Sequence, residues 1–219
     1  MRKYFVIISL FASMHVLAQS SQYTQWIGVQ LPVAISKKWQ WHNDIGYRTL
    51  GFSFRSQQDL YRTGIRRIVN HNLSYAAGVA FFFTRIKFDK NVKEFGDEFR
   101  LWQELLIQKK IQRKLLWISR CRTEERWFDA TSKANAYFAF RYRYRTALQK
   151  ELNKHWEVSI ADEYMLQYAK GNNSFNQNRT LATIMYHLNK STVLQTGYMY
   201  TVYPTIRQHS LLLLLQKNI

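Results

Sequence analysis

From Phe138 to Arg145 the chain changes chemistry at every step: Phe138, Phe140, Tyr142 and Tyr144 alternate with Ala139, Arg141, Arg143 and Arg145. A repeat of two is that of a β-strand, whose successive side chains point to opposite faces. One face of this strand is therefore aromatic and the other cationic. A helix would scatter both kinds around its axis, so no helical reading survives here. A soluble sheet hides such an aromatic face in a core, whereas a sheet in a bilayer turns it outward.

The same split recurs along the sequence. Leu73, Tyr75, Ala77, Val79, Phe81 and Phe83 oppose Ser74, Ala76, Gly78, Ala80 and Thr84. Trp156, Val158, Ile160, Tyr164 and Leu166 oppose Glu157, Ser159, Ala161, Glu163 and Gln167, and Arg120, Arg122, Glu124 and Arg126 share one parity. Arg67, Glu125 and Asp162 are exceptions to the pattern. Eleven stretches alternate in this way, near residues 23–31, 38–50, 58–69, 73–86, 97–108, 113–128, 136–148, 154–168, 177–188, 192–203 and 207–217. The region 97–118 would suit a helix equally well by its Glu, Leu, Gln and Lys content, and is read as strands. Most stretches exceed the roughly five or six residues usual for soluble strands and reach the roughly nine to eleven of a tilted membrane strand.

Connections alternate in length. Short ones fall at 36–38, 70–72, 109–110, 150–154 and 189–190, and longer ones near Gly51–Gln57, Lys87–Gly96, Asp129–Asn135 and Ala169–Asn176. Trp39, Trp41, Tyr75, Trp117 and Trp156 follow short turns closely, as an interfacial aromatic girdle would. Short turns on one rim and long loops on the other describe an all-β, antiparallel up-and-down transmembrane β-barrel of about 10–12 strands. Closed bacterial barrels usually have an even number, so the count of eleven points to ten or twelve.

Residues 1–18 read as a cleaved secretory signal: Arg2 and Lys3 lead an apolar run, and Val16, Leu17 and Ala18 precede Gln19. Residues 19–219 then form a single barrel domain, exported to the cell outer membrane. No later window approaches the about 20 apolar residues of a spanning helix. The single cysteine, Cys121, excludes an internal disulfide and a multi-cysteine zinc site, and its parity makes it a small apolar outward residue.

In hydrocarbon each unpaired backbone polar group costs several kcal/mol, so strands span only as a closed sheet, with the apolar parity outward. That assignment sends Arg48, Arg62, Arg66, Arg100, Arg120, Arg122, Arg126, Arg141, Arg143, Arg145 and Arg179 into the lumen with Asp44, Glu98, Glu104, Glu124, Glu157 and Glu163. It accounts for two excesses at once: the 16% aromatic residues serve the lipid face, and the surplus of arginine, eleven against six carboxylates, lines the interior.

Several segments resemble those of a known family. They are Trp26 to Val29 with Leu31 and Pro32, Asp44 to Arg48, Leu60 to Gly64, Glu98 to Gln103, Arg120 to Arg126, Arg141 to Arg143, and Asn176 to Arg179. Their order along the mature chain is similar to that of the domain-of-unknown-function 2490 family, uncharacterised Gram-negative outer-membrane barrel proteins. The resemblance implies export and a barrel, and no reaction. The chain departs from outer-membrane barrels, which commonly end in an aromatic residue, by ending in Ile219, although Leu211, Leu213, Leu215 and Ile219 share one parity.

The carboxylates could in principle do acid and base work, but an arginine within reach of each keeps it ionised, so a structural ion network is the expectation and catalysis is not. His42, His71, His155, His187 and His209 lack metal-ligand spacing, so neither metal nor cofactor is expected. The partners expected are outer-membrane lipid, the barrel-insertion machinery and small anions, with no nucleic acid. The chain would act as a structural protein or a small anion-preferring, porin-like pore. Two other readings compete: a membrane-embedded lipid hydrolase or acyltransferase, for which His155 and His209 are loose candidates, and a soluble periplasmic β-sandwich binding protein.

Overall fold

A computed structural model describes residues 21–86 and 94–219. The expected signal segment and most of the Lys87–Gly96 connection lie outside the described residues. Twelve strands follow one another: β1 Ser21–Gln30, β2 Val33–Ala34, β3 Trp39–Leu50, β4 Ser56–Ile68, β5 Leu73–Arg85, β6 Phe95–Gln112, β7 Leu115–Phe128, β8 Tyr137–Glu151, β9 Trp156–Ala169, β10 Asn172–His187, β11 Thr192–Val202 and β12 Arg207–Lys217. Each of the eleven alternating stretches is a long strand, and β2 is a two-residue bridge onto β3. The ambiguous 97–118 region is β6 and the start of β7, broken by a turn at Arg113 and Lys114. There the period-two pattern outweighs helix propensity, because β6 finds hydrogen-bonding partners on both sides.

All strands belong to one sheet, in which neighbours from β3 to β12 pair antiparallel in sequence order. The sheet closes because β1 pairs with both ends, antiparallel to β3 over Thr24–Gln30 and parallel to β12 over Ser21–Gln30. This closed single sheet rules out the sandwich. It also corrects the expectation of an even strand number. In an up-and-down meander of eleven strands the first and last run the same way, so the closing pair must be parallel. The seam is held inside the barrel by polar side chains: Thr24 Oγ1 and Ser210 Oγ lie 2.7 Å apart, and Gln208 Nε2 donates to Thr24 Oγ1 at 2.8 Å. At the short-turn rim the Ala34 amide donates to Ile219 O at 2.8 Å and the Ile219 amide to Pro32 O at 2.9 Å, tying the last residue to the β1–β3 connection.

A second correction concerns the Ala169–Asn176 loop, which does not exist as a loop. β9 and β10 join through Lys170 and Gly171 alone, at φ of 51° and 82°. Two successive positive φ values make the type I′ hairpin turn that matches strand twist, and Gly171 adopts it without Cβ strain. The polar Asn172–Gln177 segment reads as a loop by composition, yet it pairs with β9 through a bulge between Phe175 and Gln177.

The two faces separate as the alternation requires. On β8, Tyr142 and Tyr144 are 52% and 48% exposed while Arg141 is 5% exposed. Ile160, Tyr164, Leu166, Leu211 and Leu213 are likewise exposed on the outer surface. Trp39, Trp41, Tyr75 and Trp156 stand exposed near the short-turn rim. The exceptions also face outward. Asp162 accepts hydrogen bonds from Asn178 Nδ2 at 2.9 Å and Thr180 Oγ1 at 3.1 Å, and Arg67 Nη1 donates to Tyr75 Oη at 3.2 Å.

Aromatic residues are not confined to the outer face, which corrects the simplest form of the expectation. Trp26, Phe82 and Trp102 point inward. Trp102 is the anchor of a small apolar cluster with Ala76, Ala80 and Phe82. It lies against the cross-strand pair Gly64 and Gly78, where an added Cβ would sit 2.5 and 2.8 Å from Trp102 Cζ2. Those glycines are required by the ring that covers them and by the adjacent backbone, Ala77 O for Gly64 and Thr63 O for Gly78.

Candidate functional site: a charged lumen

β5 contributes only small inward residues, Ala76, Gly78 and Ala80, over the span where its neighbours carry charges. That gap lets side chains from β4 and β6 meet across it. Arg66 of β4 and Glu104 of β6 both lie opposite Ala76, and Arg66 Nη2 donates to Glu104 Oε1 at 2.9 Å.

The remaining contacts follow from register. Strand pairing sets Arg100 opposite Arg126, Arg122 opposite Arg143 and Arg120 opposite Arg145. Like charges directly opposed are unfavourable, and carboxylates at neighbouring positions relieve two of these three pairs. Glu98 sits between Arg100 and Arg126, taking Arg126 Nε at 2.5 Å and Arg100 Nη2 at 2.7 Å. Glu124 serves both Arg122 and Arg143, with Arg143 Nη1 at 2.6 Å and Arg122 Nη1 at 4.0 Å, and also binds Arg141 and Arg100. Glu104 takes Arg122 Nε at 2.9 Å and lies 3.7 Å from Arg120. Glu163 takes Arg120 Nη2 at 2.5 Å and Arg143 Nη2 at 2.8 Å, with Arg179 Nη1 at 3.7 Å. Asp44 binds Arg62, its cross-strand partner, and lies 3.1 Å from His42 Nε2.

Nine of the expected lumen arginines thus join five carboxylates, each of which is nearly inaccessible. Two arginines stand apart. Arg145 lies opposite Glu163 in register but makes no ion pair with it or with any other carboxylate among the described residues. Arg48 also lacks a carboxylate among the described residues, donates to Gln58 Oε1, and stacks on Trp26 with its Cζ 3.5 Å from the ring centroid. Glu157 is separate from the network. Near the short-turn rim it accepts from Gln149 Nε2 and contacts His187 Nε2 at 2.8 Å.

Residue periodicity did not single out the inward aromatics as part of this site. Arg100 stands 3.5 Å from the Phe82 centroid, Arg122 5.0 Å from that of Trp102, and Arg179 5.0 Å from that of Trp26. Their signal was parity: Trp102 falls in step with Arg100 and Glu104, and Phe82 with Ala80. Such cation–π contacts give these guanidiniums a further neighbour beside their carboxylates.

The network surrounds a cavity of about 470 Å³ lined by ten arginines but, among carboxylates, only Asp44 and Glu163. Glu98, Glu104 and Glu124 lie behind their arginines. A second cavity of about 220 Å³ lies toward the short-turn rim and shares Arg120, Arg145 and Gln195 with the first. On the outer face His209 stacks with Tyr23, centroids 5.2 Å apart, and hydrogen-bonds Tyr198 Oη. In the β8–β9 turn His155 contacts the His187 carbonyl. Among the described residues no three His, Cys, Asp or Glu are grouped so as to hold a metal ion.

A family model described as a protein of unknown function (DUF2490) matches residues 24–208, from within β1 to the second residue of β12. The chain belongs to this family. DUF2490 membership covers β3 to β11 entire, most of β1 and the first two residues of β12, and so includes every residue of the lumen ion network. No curated protein and no solved structure matches the chain.

Proposed function

We propose that this DUF2490 chain is an outer-membrane β-barrel without enzymatic activity, held in shape by its Arg–carboxylate network and selective for small anions. The observation that carries the reading is the inversion of faces: guanidinium and carboxylate groups fill the interior while tyrosine, leucine and isoleucine cover the outside. In water such a surface would far exceed the roughly 300–600 Å² apolar patch of a typical soluble monomer. A bilayer solvates it. Lipid is then the lateral partner, export and the barrel-insertion machinery deliver the chain, and the cationic cavity surface favours anions over cations.

Reconstitution of the purified protein into planar bilayers tests this. The expected result is a small conductance with chloride permeating better than potassium, and selectivity that weakens as salt rises. Cation preference, or lipid turnover without conductance, would overturn the proposal.

A further inference from the structure

We propose that the larger lumen cavity is a binding site for a small, soluble, multiply charged oxyanion of the phosphate type, seated between Arg48 and Arg179 against the indole N–H of Trp26. This rests on the anion-selective reading of the lumen and adds a discrete site to it.

Three observations converge there. Arg48 has no carboxylate partner among the described residues; its contacts are Gln58 and the face of Trp26. Among the described residues Arg179, nine-tenths buried, comes no closer to a carboxylate than 3.7 Å, and its Nε has no hydrogen-bond acceptor. The Nε1 of Trp26 is a second buried donor without an acceptor among the described residues. All three side chains line the same cavity. Both guanidiniums stack on one indole, at 3.5 and 5.0 Å from its centroid, so two like charges share the reach of a single ring. Buried donors are rarely left unpaired in proteins.

An oxyanion supplies what is missing: acceptor oxygens for both N–H groups and negative charge between the two arginines. Guanidinium forks match phosphate or carboxylate oxygens in pairs, a geometry that a spherical halide cannot satisfy. Space is sufficient, since about 470 Å³ is the share of some fifteen waters at ~30 Å³ each. Tyr203, in the β11–β12 connection, and Asn176, near the start of β10, also line the cavity, which places its approach at the long-loop rim. Lipid headgroups lie outside the wall, so the ligand is a free anion.

The test is titration calorimetry of the full chain in neutral detergent with sodium pyrophosphate, with chloride and lipopolysaccharide as separate arms at equal ionic strength. Saturable pyrophosphate binding is expected, with neither comparison anion saturating in the same range. Arg48→Gln should weaken it about tenfold or more, as loss of a charge-assisted contact does. Trp26→Phe keeps a ring and removes only the donor, and should weaken it several-fold. Arg67→Gln, on the outer face, should change nothing. Heat-modifiable migration checks that each variant folds. Binding that is equal for chloride, saturation by lipopolysaccharide instead, or an unchanged affinity in both Arg48→Gln and Trp26→Phe would overturn the site. Anion-selective conductance without pyrophosphate binding would remove this inference and leave the proposed function standing; binding without selectivity would do the reverse.

Discussion

Glu124 is 2% exposed and is approached by four arginines, which makes it the point where the lumen network is most sensitive. Glu124→Gln keeps the shape and one acceptor oxygen but removes the negative charge. Arg141 Nε at 2.9 Å and Arg143 Nη1 at 2.6 Å are its tightest partners with separations in the ordinary range. Two unit charges about 4 Å apart attract by about 4 kcal/mol at an effective dielectric constant near 20. Two such pairs are partly offset by the cost of desolvating the ions and by water entering from the cavity. Breaking a buried pair by removing one partner costs about 3–5 kcal/mol, because a charge is left uncompensated. We expect Glu124→Gln to fall in that range. Urea unfolding of the refolded barrel in vesicles, followed by tryptophan fluorescence, measures it. Adding Arg141→Met should recover part of the loss, with a coupling of at least about 1 kcal/mol. A Glu124→Gln barrel within about 0.5 kcal/mol of the parent, the range of ordinary surface substitutions, would refute the reasoning.

Arg141→Leu should cost about 3–5 kcal/mol by stranding Glu124, whereas Arg145→Leu, which breaks no ion pair among the described residues, should leave the same unfolding midpoint nearly unchanged and lower the chloride-to-potassium permeability ratio. Gly78→Ala should destabilise by about 1–3 kcal/mol, since the new Cβ overlaps Thr63 O and lies 2.8 Å from Trp102; thermal migration on detergent gels reads it. The parallel seam predicts that Thr24→Cys with Ser210→Cys, in a Cys121→Ser background, forms a disulfide on mild oxidation, because the two residues are register partners. The pair Thr24→Cys with Leu212→Cys, one inward position away, should not. Tyr142→Leu should shift stability by less than about 0.5 kcal/mol, while Tyr144→Arg should cost about 2–4 kcal/mol in vesicles if it meets the bilayer midplane.

The strands were readable because their pattern is periodic and local: inward Arg141, Arg143 and Arg145 alternate with outward Tyr142 and Tyr144 whatever the rest of the chain does. The seam was not, since period two says nothing of which strands close the sheet. The even-number expectation failed on that missing information. The Lys170–Gly171 turn was hidden by the polar Asn172–Gln177 stretch, where composition suggested a loop and pairing with β9 decided otherwise. Parity also delivered the lumen arginines and carboxylates as a set. It could not say which arginine goes without a carboxylate, because that depends on register: Arg145 faces Glu163 across strands, yet Arg120, Arg143 and Arg179 reach the same carboxylate. The inward Trp26, Phe82 and Trp102 were obscured by assigning aromatic residues to lipid as a class.

Single-cysteine spin labels placed in turn at positions 138–145, with Cys121→Ser, would test the facing of this sheet most directly. In vesicles, labels at 138, 140, 142 and 144 should collide strongly with dissolved oxygen and weakly with a water-soluble nickel chelate, and labels at 139, 141, 143 and 145 should show low collision with oxygen. The reverse alternation, or uniform access of the chelate to the even positions, would contradict the account.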